Sequence, residues 1–159
     1  MAGFVSSPPS SAPAPAPDDL VAGDAFWPDV SLGAFRDSAR IVTQVTDARA
    51  RDALRGAVLS VRRELSAWQL IAMLAGADRL ADVHDAAVDG EAALVILYRR
   101  AVFAYAAADL AETHGEISAT GEGRDRAEEI AVSADDHRRN ATHAIRDILG
   151  VTRTAVELI

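Results

Sequence analysis

A long, mostly apolar stretch from Ala92 to Ala111 constrains the fold of this chain more than any other feature. Its length would allow it to cross a bilayer, but Arg99 and Arg100 lie near its centre. Each arginine would cost roughly 2.5–3.5 kcal/mol in the middle of a membrane, and most of the other residues are alanine. We therefore predict a helix buried in protein, which begins at a cap on Asp89 and runs to about His114. Because it is apolar nearly all round, it should lie at the centre of a helical bundle.

The chain before this stretch also has helical periodicity. Ser31 is placed to cap a short first helix, and Thr46 to cap a second one. The second helix carries one apolar stripe with steps of three or four residues, made of Leu54, Val58, Val61, Leu65, Trp68 and Ile71. The segment from Gly76 to Val88 has little periodicity and is predicted to be a loop with one turn of helix.

A fourth helix is predicted from about Arg124 to Leu149, after a turn at residues 120–123. Gly150 follows it in the position that glycine commonly takes after a helix. Together the four segments predict an all-α fold, a four-helix-type bundle.

Composition divides the chain into three parts. Residues 1–25 are rich in serine, proline and alanine, so they cannot bury enough apolar area to offset ordering and are predicted to be a disordered arm. Residues 26–150 form the helical domain. Residues 151–159, with the sequence VTRTAVELI, alternate like a strand and are predicted to be an extended C-terminal tail.

Net charge and targeting signals exclude several classes of protein. The formal net charge is −8, which argues against sequence-independent nucleic-acid binding, since such binding depends on basic residues that neutralise phosphates. The first twenty residues contain neither the basic start nor the apolar run of a secretory peptide. We expect a soluble protein that is cytosolic when made and has no membrane partner.

Motifs for catalysis, metals or cofactors are missing from the sequence. The chain has no cysteine, and none of its four histidines follows a glutamate by three residues, as a di-iron helical bundle requires. No P-loop, dinucleotide fingerprint or G-x-S-x-G motif is present. The sequence therefore predicts no catalytic, metal-binding or cofactor-binding residue, no cofactor, and no enzyme activity.

Two pairs of residues are candidates for contacts between subunits. Phe26 and Trp27 could form a hydrophobic staple within the chain or a plug between subunits, and both interpretations stay open. Arg99 and Arg100 could contact a phosphate or a neighbouring subunit, or they could reach past the apolar surface to solvent. Trp68 is predicted to be a core residue because it lies on the apolar stripe.

Five blocks of sequence, in order, resemble the phage head completion protein L family of temperate contractile-tailed phages of the Peduovirus type. The blocks are FWPDVSLGAFRD, SVRRELSAW, LYRRAVFAYAAADL, SADDHRRNATHAIRDILG and RTAVELI. The likeness extends from Phe26 to Ile159. The family more often has aromatic residues at the positions of His137 and His143, so no family role is carried over to either.

The resemblance implies a structural virion protein, a head–tail connector at the head–tail interface that is assembled in the host cytoplasm. Such a protein would form a ring, commonly of twelve copies, on the portal vertex after DNA packaging. The ring would extend the channel through which DNA passes without specific binding, and would offer a docking surface to neck and tail proteins. The alternative is a free-standing helical module that binds a partner protein, as a regulator or chaperone does.

The tail is the predicted portal anchor, and the alternative is a tail that folds back on its own bundle. An extended terminal segment with exposed apolar residues can pair with a second molecule, and the resemblance to adaptor rings points the same way. Its predicted contact residues are Arg153, Val156, Leu158 and Ile159.

Overall fold

The fold is mostly helical, as predicted. The computed structural model describes residues 19–39, 45–84, 86–115 and 121–151, with the backbone alone for 114–115 and 121–133. The described residues contain five α-helices, a short 3₁₀ helix and two pairs of antiparallel strands. The elements in chain order are β1 (Leu20–Val21), β2 (Val30–Ser31), α1 (Leu32–Ala39), α2 (Asp47–Glu64), α3 (Ser66–Leu74), the 3₁₀ helix (Leu80–Asp82), β3 (Ala87–Val88), β4 (Glu91–Ala92), α4 (Ala93–Gly115) and α5 (Gly121–Ile148). The finer prediction of a four-helix-type bundle is not confirmed, because the described residues form five α-helices of unequal length.

The folded part of the chain begins before Phe26, where the sequence placed its start. Strand β1 pairs with β2, and Val21 is buried. Asp19 fixes this entry, since one carboxylate oxygen accepts from the Ser31 hydroxyl at 2.7 Å and the other from the Gly33 N–H at 2.8 Å. The predicted disordered arm is therefore corrected for residues 19–25, and residues 1–18 lie outside the described residues.

The predicted N-caps at Ser31 and Thr46 are confirmed, but the apolar stripe of the second predicted helix is interrupted. The Ser31 hydroxyl accepts the Ala34 N–H at the start of α1, and the Thr46 hydroxyl accepts the Arg49 N–H at the start of α2. The helix then breaks at Leu65, next to which the Ser66 hydroxyl donates to the Arg63 carbonyl. Such hydrogen bonds back to the preceding turn bend helices.

The predicted stripe is buried before the break but only partly buried or exposed after it. Residues before it, from Leu54 to Leu65 on the stripe, lie in the core, and Trp68 is partly buried against it. Ile71 was predicted to continue the stripe but is 67% exposed, because the new helix α3 leaves the direction of α2.

The segment before α4 is a hairpin and not a helix cap. Asp89 and Gly90 have φ angles of 51° and 80°, and they connect β3 to β4 with Val88 opposite Glu91. Positive φ at both central residues is the requirement of a type I′ turn, for which Asp-Gly is a preferred pair. The predicted cap at Asp89 is therefore wrong, and α4 begins at Ala93.

Helix α4 lies between the other helices, as its all-round apolar sequence predicted. It packs against α1, α2 and α5. The small residues among its buried positions let α5 approach closely; the buried positions are Tyr98, Ala101, Val102, Phe103, Ala104, Ala106, Ala107, Ala108 and Leu110. From the other side, α5 contributes Ala134, Ala141, Ala144, Ile145 and Ile148.

The two ends of α5 differ in how they follow the prediction. The helix begins at Gly121, so the glycines predicted to form a turn at 120–123 lie inside its first turn. At the other end Gly150 has φ 69°, the Val151 N–H donates to the Arg146 carbonyl and the Gly150 N–H to the Asp147 carbonyl. This pair of bonds is a Schellman motif, which ends the helix where the sequence predicted.

Candidate functional site

Phe26 and Trp27, predicted to contact another subunit, lie inside the core of this chain. The carboxylate of Asp24 accepts the N–H of Phe26 at 2.9 Å and that of Trp27 at 2.8 Å, which holds the two residues in a tight turn. The Trp27 ring stacks on Tyr98 of α4 with centroids 4.8 Å apart, and Phe26 meets Trp68 edge-on. Only 3% and 2% of the two side chains are exposed. The subunit contact predicted for them is therefore corrected, because almost none of their surface can reach a second molecule.

A partly buried arginine closes this aromatic cluster. Arg62 of α2 donates from Nε to the Tyr98 hydroxyl at 3.2 Å and from Nη1 to Asp24 at 3.0 Å. Burial raises the pKa of Tyr98, and the hydrogen bond from Arg62 partly opposes that increase. Asp24, Arg62 and Tyr98 thus join the entry segment, α2 and α4.

Arg99 is committed to a contact within the chain. Both of its terminal nitrogens donate to the carboxylate of Glu91, each at 2.7 Å. This forked arrangement ties the β3–β4 hairpin to α4, and the hydrogen bonds raise the pKa of the Arg99 guanidinium. Since 38% of each side chain is exposed, the pair remains open to solvent on one side.

Arg100 is exposed at the rim of a cleft between α1, α4 and α5, which we call the α1–α4–α5 cleft. The cleft has a volume of about 500 Å³. Ile96, Phe103 and Ala104 give it an apolar floor, and Arg100 and His137 lie on its polar rim together with Ser38, Arg99 and Asn140. Among the residues that the structure describes, Arg100 has no ion-pair partner. The rim therefore offers hydrogen-bond donors and positive charge above an apolar floor.

A second exposed surface lies on α3, and sequence reasoning missed it. Leu70, Ile71, Met73 and Leu74, which we call the α3 surface, are between 51% and 79% exposed. Within α3 only Ala72 is buried, and the helix carries no charged residue. The signal was available in the sequence SAWQLIAML, which has no polar face, so a helix with only one side against the core must expose apolar residues.

The predicted portal contacts of the tail, Arg153, Val156, Leu158 and Ile159, lie outside the described residues. The structure does describe the C-terminal end of α5, which precedes the tail. The Schellman motif at Gly150 stops α5, and Val151 is 46% exposed. Helix α5 therefore ends before the predicted tail begins.

The described parts of the chain bring no three His, Asp or Glu side chains together in a metal-binding arrangement. Of the described histidines, His84 accepts the Ala86 N–H through Nδ1, and His137 borders the α1–α4–α5 cleft. None of the helices in this part of the molecule has the length and apolar character needed to cross a membrane.

Comparison with known proteins shows the family to which this chain belongs. Residues 21–159 match the family described as phage head completion protein (GPL). The chain belongs to this family. It is also 32% identical to the head completion/stabilization protein of Escherichia phage P2, over 92% of this chain and 88% of the P2 protein. No solved structure matches the chain.

Membership confirms the resemblance that the five sequence blocks carried, and it makes this chain a head completion protein of a phage particle. The family match begins in β1 and includes the α3 surface, the α1–α4–α5 cleft and the tail. Only the first twenty residues, most of them in the Pro-rich segment, fall outside it.

Proposed function

We propose that this head completion protein is a structural adaptor that assembles as a ring, of twelve copies, on the portal vertex after DNA is packaged. The ring extends the DNA channel and presents a docking surface to the neck and tail proteins. Family membership supports the role in the head, and the resemblance supplies the ring and the portal. The role is mechanical and requires no catalytic group or cofactor.

The observation that carries the proposal is the α3 surface. Four large apolar side chains on one short helix form a contiguous exposed patch, and such patches mark contact sites with other molecules. Removing apolar surface from water is favourable by roughly 25 cal/mol per Å². A subunit of an assembly can carry such an apolar surface because neighbouring subunits cover it. In a free protein the same surface stays exposed to water and lowers solubility.

The tail supplies the attachment to the portal in this proposal. Because α5 ends at Gly150, residues 151–159 can extend from the domain without disturbing the packing of α5 on α4. Val156, Leu158 and Ile159 are the apolar anchors, and Arg153 is the polar contact. A strand of this kind binds by backbone pairing while its side chains enter pockets of the partner.

Deletion of residues 151–159 tests the anchor. We expect the truncated protein to keep its helix content and nearly all of its thermal stability. The buried residues of α5 end at Ile148, and the one described hydrogen bond that the deletion removes runs from the Val151 N–H to the Arg146 carbonyl. It should fail to join DNA-filled heads that carry a portal but lack this protein, as measured by co-sedimentation. A truncated protein that joins the heads as well as the full chain does would refute the anchor.

The runner-up function, a free-standing helical binding module, predicts a different result with the full chain. Mass measurement of the purified protein with and without portal should show a ring if the adaptor role is correct. A monomer or dimer that ignores added portal would favour the binding module.

A further inference from the structure

The α3 surface and the α1–α4–α5 cleft lie on opposite sides of the molecule. Trp68 of α3 contacts Phe26, and Trp27 beside it stacks on Tyr98, so α3 belongs to the Tyr98 side of α4. The cleft is lined by Ile96 and Phe103 of the same helix. At 3.6 residues per turn, Tyr98 points roughly 200° around the helix axis from Ile96, on the far side of α4.

We propose that the α3 surface of one copy inserts into the α1–α4–α5 cleft of the next copy. The two surfaces match in shape, because α3 is a convex helix and the cleft is concave. They match in chemistry as well, since the aliphatic side chains of α3 would cover the apolar floor formed by Ile96, Phe103 and Ala104. The cleft volume of about 500 Å³ is within the range of about 300–1,000 Å³ that is typical of binding pockets. A helix in an apolar groove is a common mode of recognition between proteins.

Charge favours the same pairing. Helix α3 carries no charge, but Asp78 is exposed four residues after Leu74. Arg100 on the cleft rim has no ion-pair partner among the described residues, so it is available to Asp78 of the next copy. The C-terminal end of α3 also has no basic residue in its last turn, and the negative end of a helix dipole attracts a cation such as Arg100.

Contact between two different surfaces of the same chain is head-to-tail, and it repeats from copy to copy and forms a ring when the rotation between copies closes. The inference rests on the proposed function for the ring, and it names the surfaces by which the ring would form. It leaves the tail free for the portal.

Cross-linking tests the contact directly, because the natural chain contains no cysteine. The double variant Ser38→Cys with Ala75→Cys places one thiol at the cleft and one beside the α3 surface, and both positions are exposed. With a short bis-maleimide we expect a ladder of dimers, trimers and higher oligomers, at high protein concentration or on portal-bearing heads. The matched control replaces Ala75→Cys with Leu59→Cys, which is exposed on α2 away from α3. Neither this control nor the single variants should give a ladder.

Two further sets of variants test the chemistry of the contact. Ile71→Asp should reduce the ladder at least tenfold while Leu59→Asp does not, and circular dichroism should show both proteins folded, because both side chains are exposed. Asp78→Arg and Arg100→Asp should each weaken the ladder, and the two changes in one chain should restore it.

The outcomes separate this contact from the adaptor role. Absence of a ladder both in solution and on heads overturns the contact, and so does a dimer from either single-cysteine variant, which would mean a symmetric interface. Cross-links from Ala75→Cys to portal or neck protein alone also overturn it. If the ladder is absent but the full chain still joins heads, the contact fails and the adaptor role stands. If the ladder forms but the chain ignores portal, the adaptor role fails and the contact stands.

Discussion

At the scale of single residues, Asp24 organises the start of the fold. One of its oxygens accepts two consecutive backbone N–H groups, and the other pairs with Arg62, which in turn donates to Tyr98. The turn that results places Trp27 on the Tyr98 ring, at the centre of the aromatic cluster. Polar groups at the edge of the core thus position the large aromatic residues within it.

Because of Tyr98, the free energy of unfolding should fall as the pH rises into the alkaline range. Burial raises its pKa, so the folded state favours the neutral phenol more than the unfolded state does. Its contribution to the free energy of unfolding is complete below the unfolded pKa of about 10 and is lost as pH rises through the higher folded pKa. Tyr98→Phe should reduce this loss, measured by urea unfolding at pH values below and well above about 10.

The matched variant Tyr105→Phe leaves Tyr98 as the only tyrosine in the chain. Its phenol absorbance should then titrate above the usual value. Titration of that single tyrosine at about 10, as in a peptide, would contradict the assignment.

Phe103 and Leu94, both on the central helix, should differ in their effect on stability. Phe103 is buried and its ring lies 5.4 Å from that of Phe35 of α1, so Phe103→Ala should cost about 3–5 kcal/mol by leaving a cavity. Leu94 is only partly buried near the hairpin, so Leu94→Ala should cost less. Chemical denaturation of the two variants measures both values, and equal losses would show that α4 is buried evenly along its length.

At the scale of elements, backbone conformation decides where helices end. Gly150 ends α5 and Gly90 completes the hairpin turn, and both have positive φ angles that side chains with a Cβ atom disfavour. Gly56, by contrast, lies inside α2, where an added Cβ atom would contact nothing within 4 Å.

Gly150→Ala and Gly56→Ala should therefore change stability in opposite directions. The first forces alanine into a left-handed conformation and should lower the free energy of unfolding by about 1–2 kcal/mol. The second removes the flexibility of glycine from a helix and should raise it by about 0.5–1 kcal/mol. Thermal unfolding of the two variants tests the pair, and a stabilising Gly150→Ala would mean that the Schellman motif does not form in solution.

At the scale of the whole molecule, charge sets how an assembled ring would meet DNA. Each chain carries −8, so a ring of twelve copies would carry twelve times that charge, about −96. Several of the described arginines pair with carboxylates of the same chain, as in the pairs Arg36–Asp47, Arg62–Asp24 and Arg99–Glu91. A negative channel repels the duplex and lets it slide.

The assembled ring should consequently not bind free duplex DNA at physiological salt. Fluorescence anisotropy of a labelled duplex titrated with the ring measures this directly. Tight binding that weakens steeply with added salt would show that basic residues line the channel, because such a slope reports phosphates neutralised by protein cations.

The sequence by itself determined the features that depend on neighbouring residues. The helix caps at Ser31 and Thr46, the stop at Gly150 and the central position of an all-apolar α4 were predicted from local chemistry and periodicity. The family could also be recognised from the sequence, because the five sequence blocks and their order along the chain are typical of it. The hairpin turn at Asp89-Gly90 could have been predicted, since Asp-Gly is a preferred pair in type I′ turns. An aspartate before an apolar stretch also fits a helix N-cap, which is what we predicted from the sequence.

Only the tertiary structure decided which apolar residues are covered. Phe26 and Ile71 are both large hydrophobic residues, and Ile71 even lies on the apolar stripe of a predicted helix, yet Phe26 is buried and Ile71 is 67% exposed. The difference arises because Asp24 folds the entry segment onto Tyr98, whereas the bend at Leu65 directs part of α3 away from the core. Periodicity shows which face of a helix is apolar, but burial depends on what packs against that face. That depends on contacts between residues far apart in the chain, which no local pattern contains.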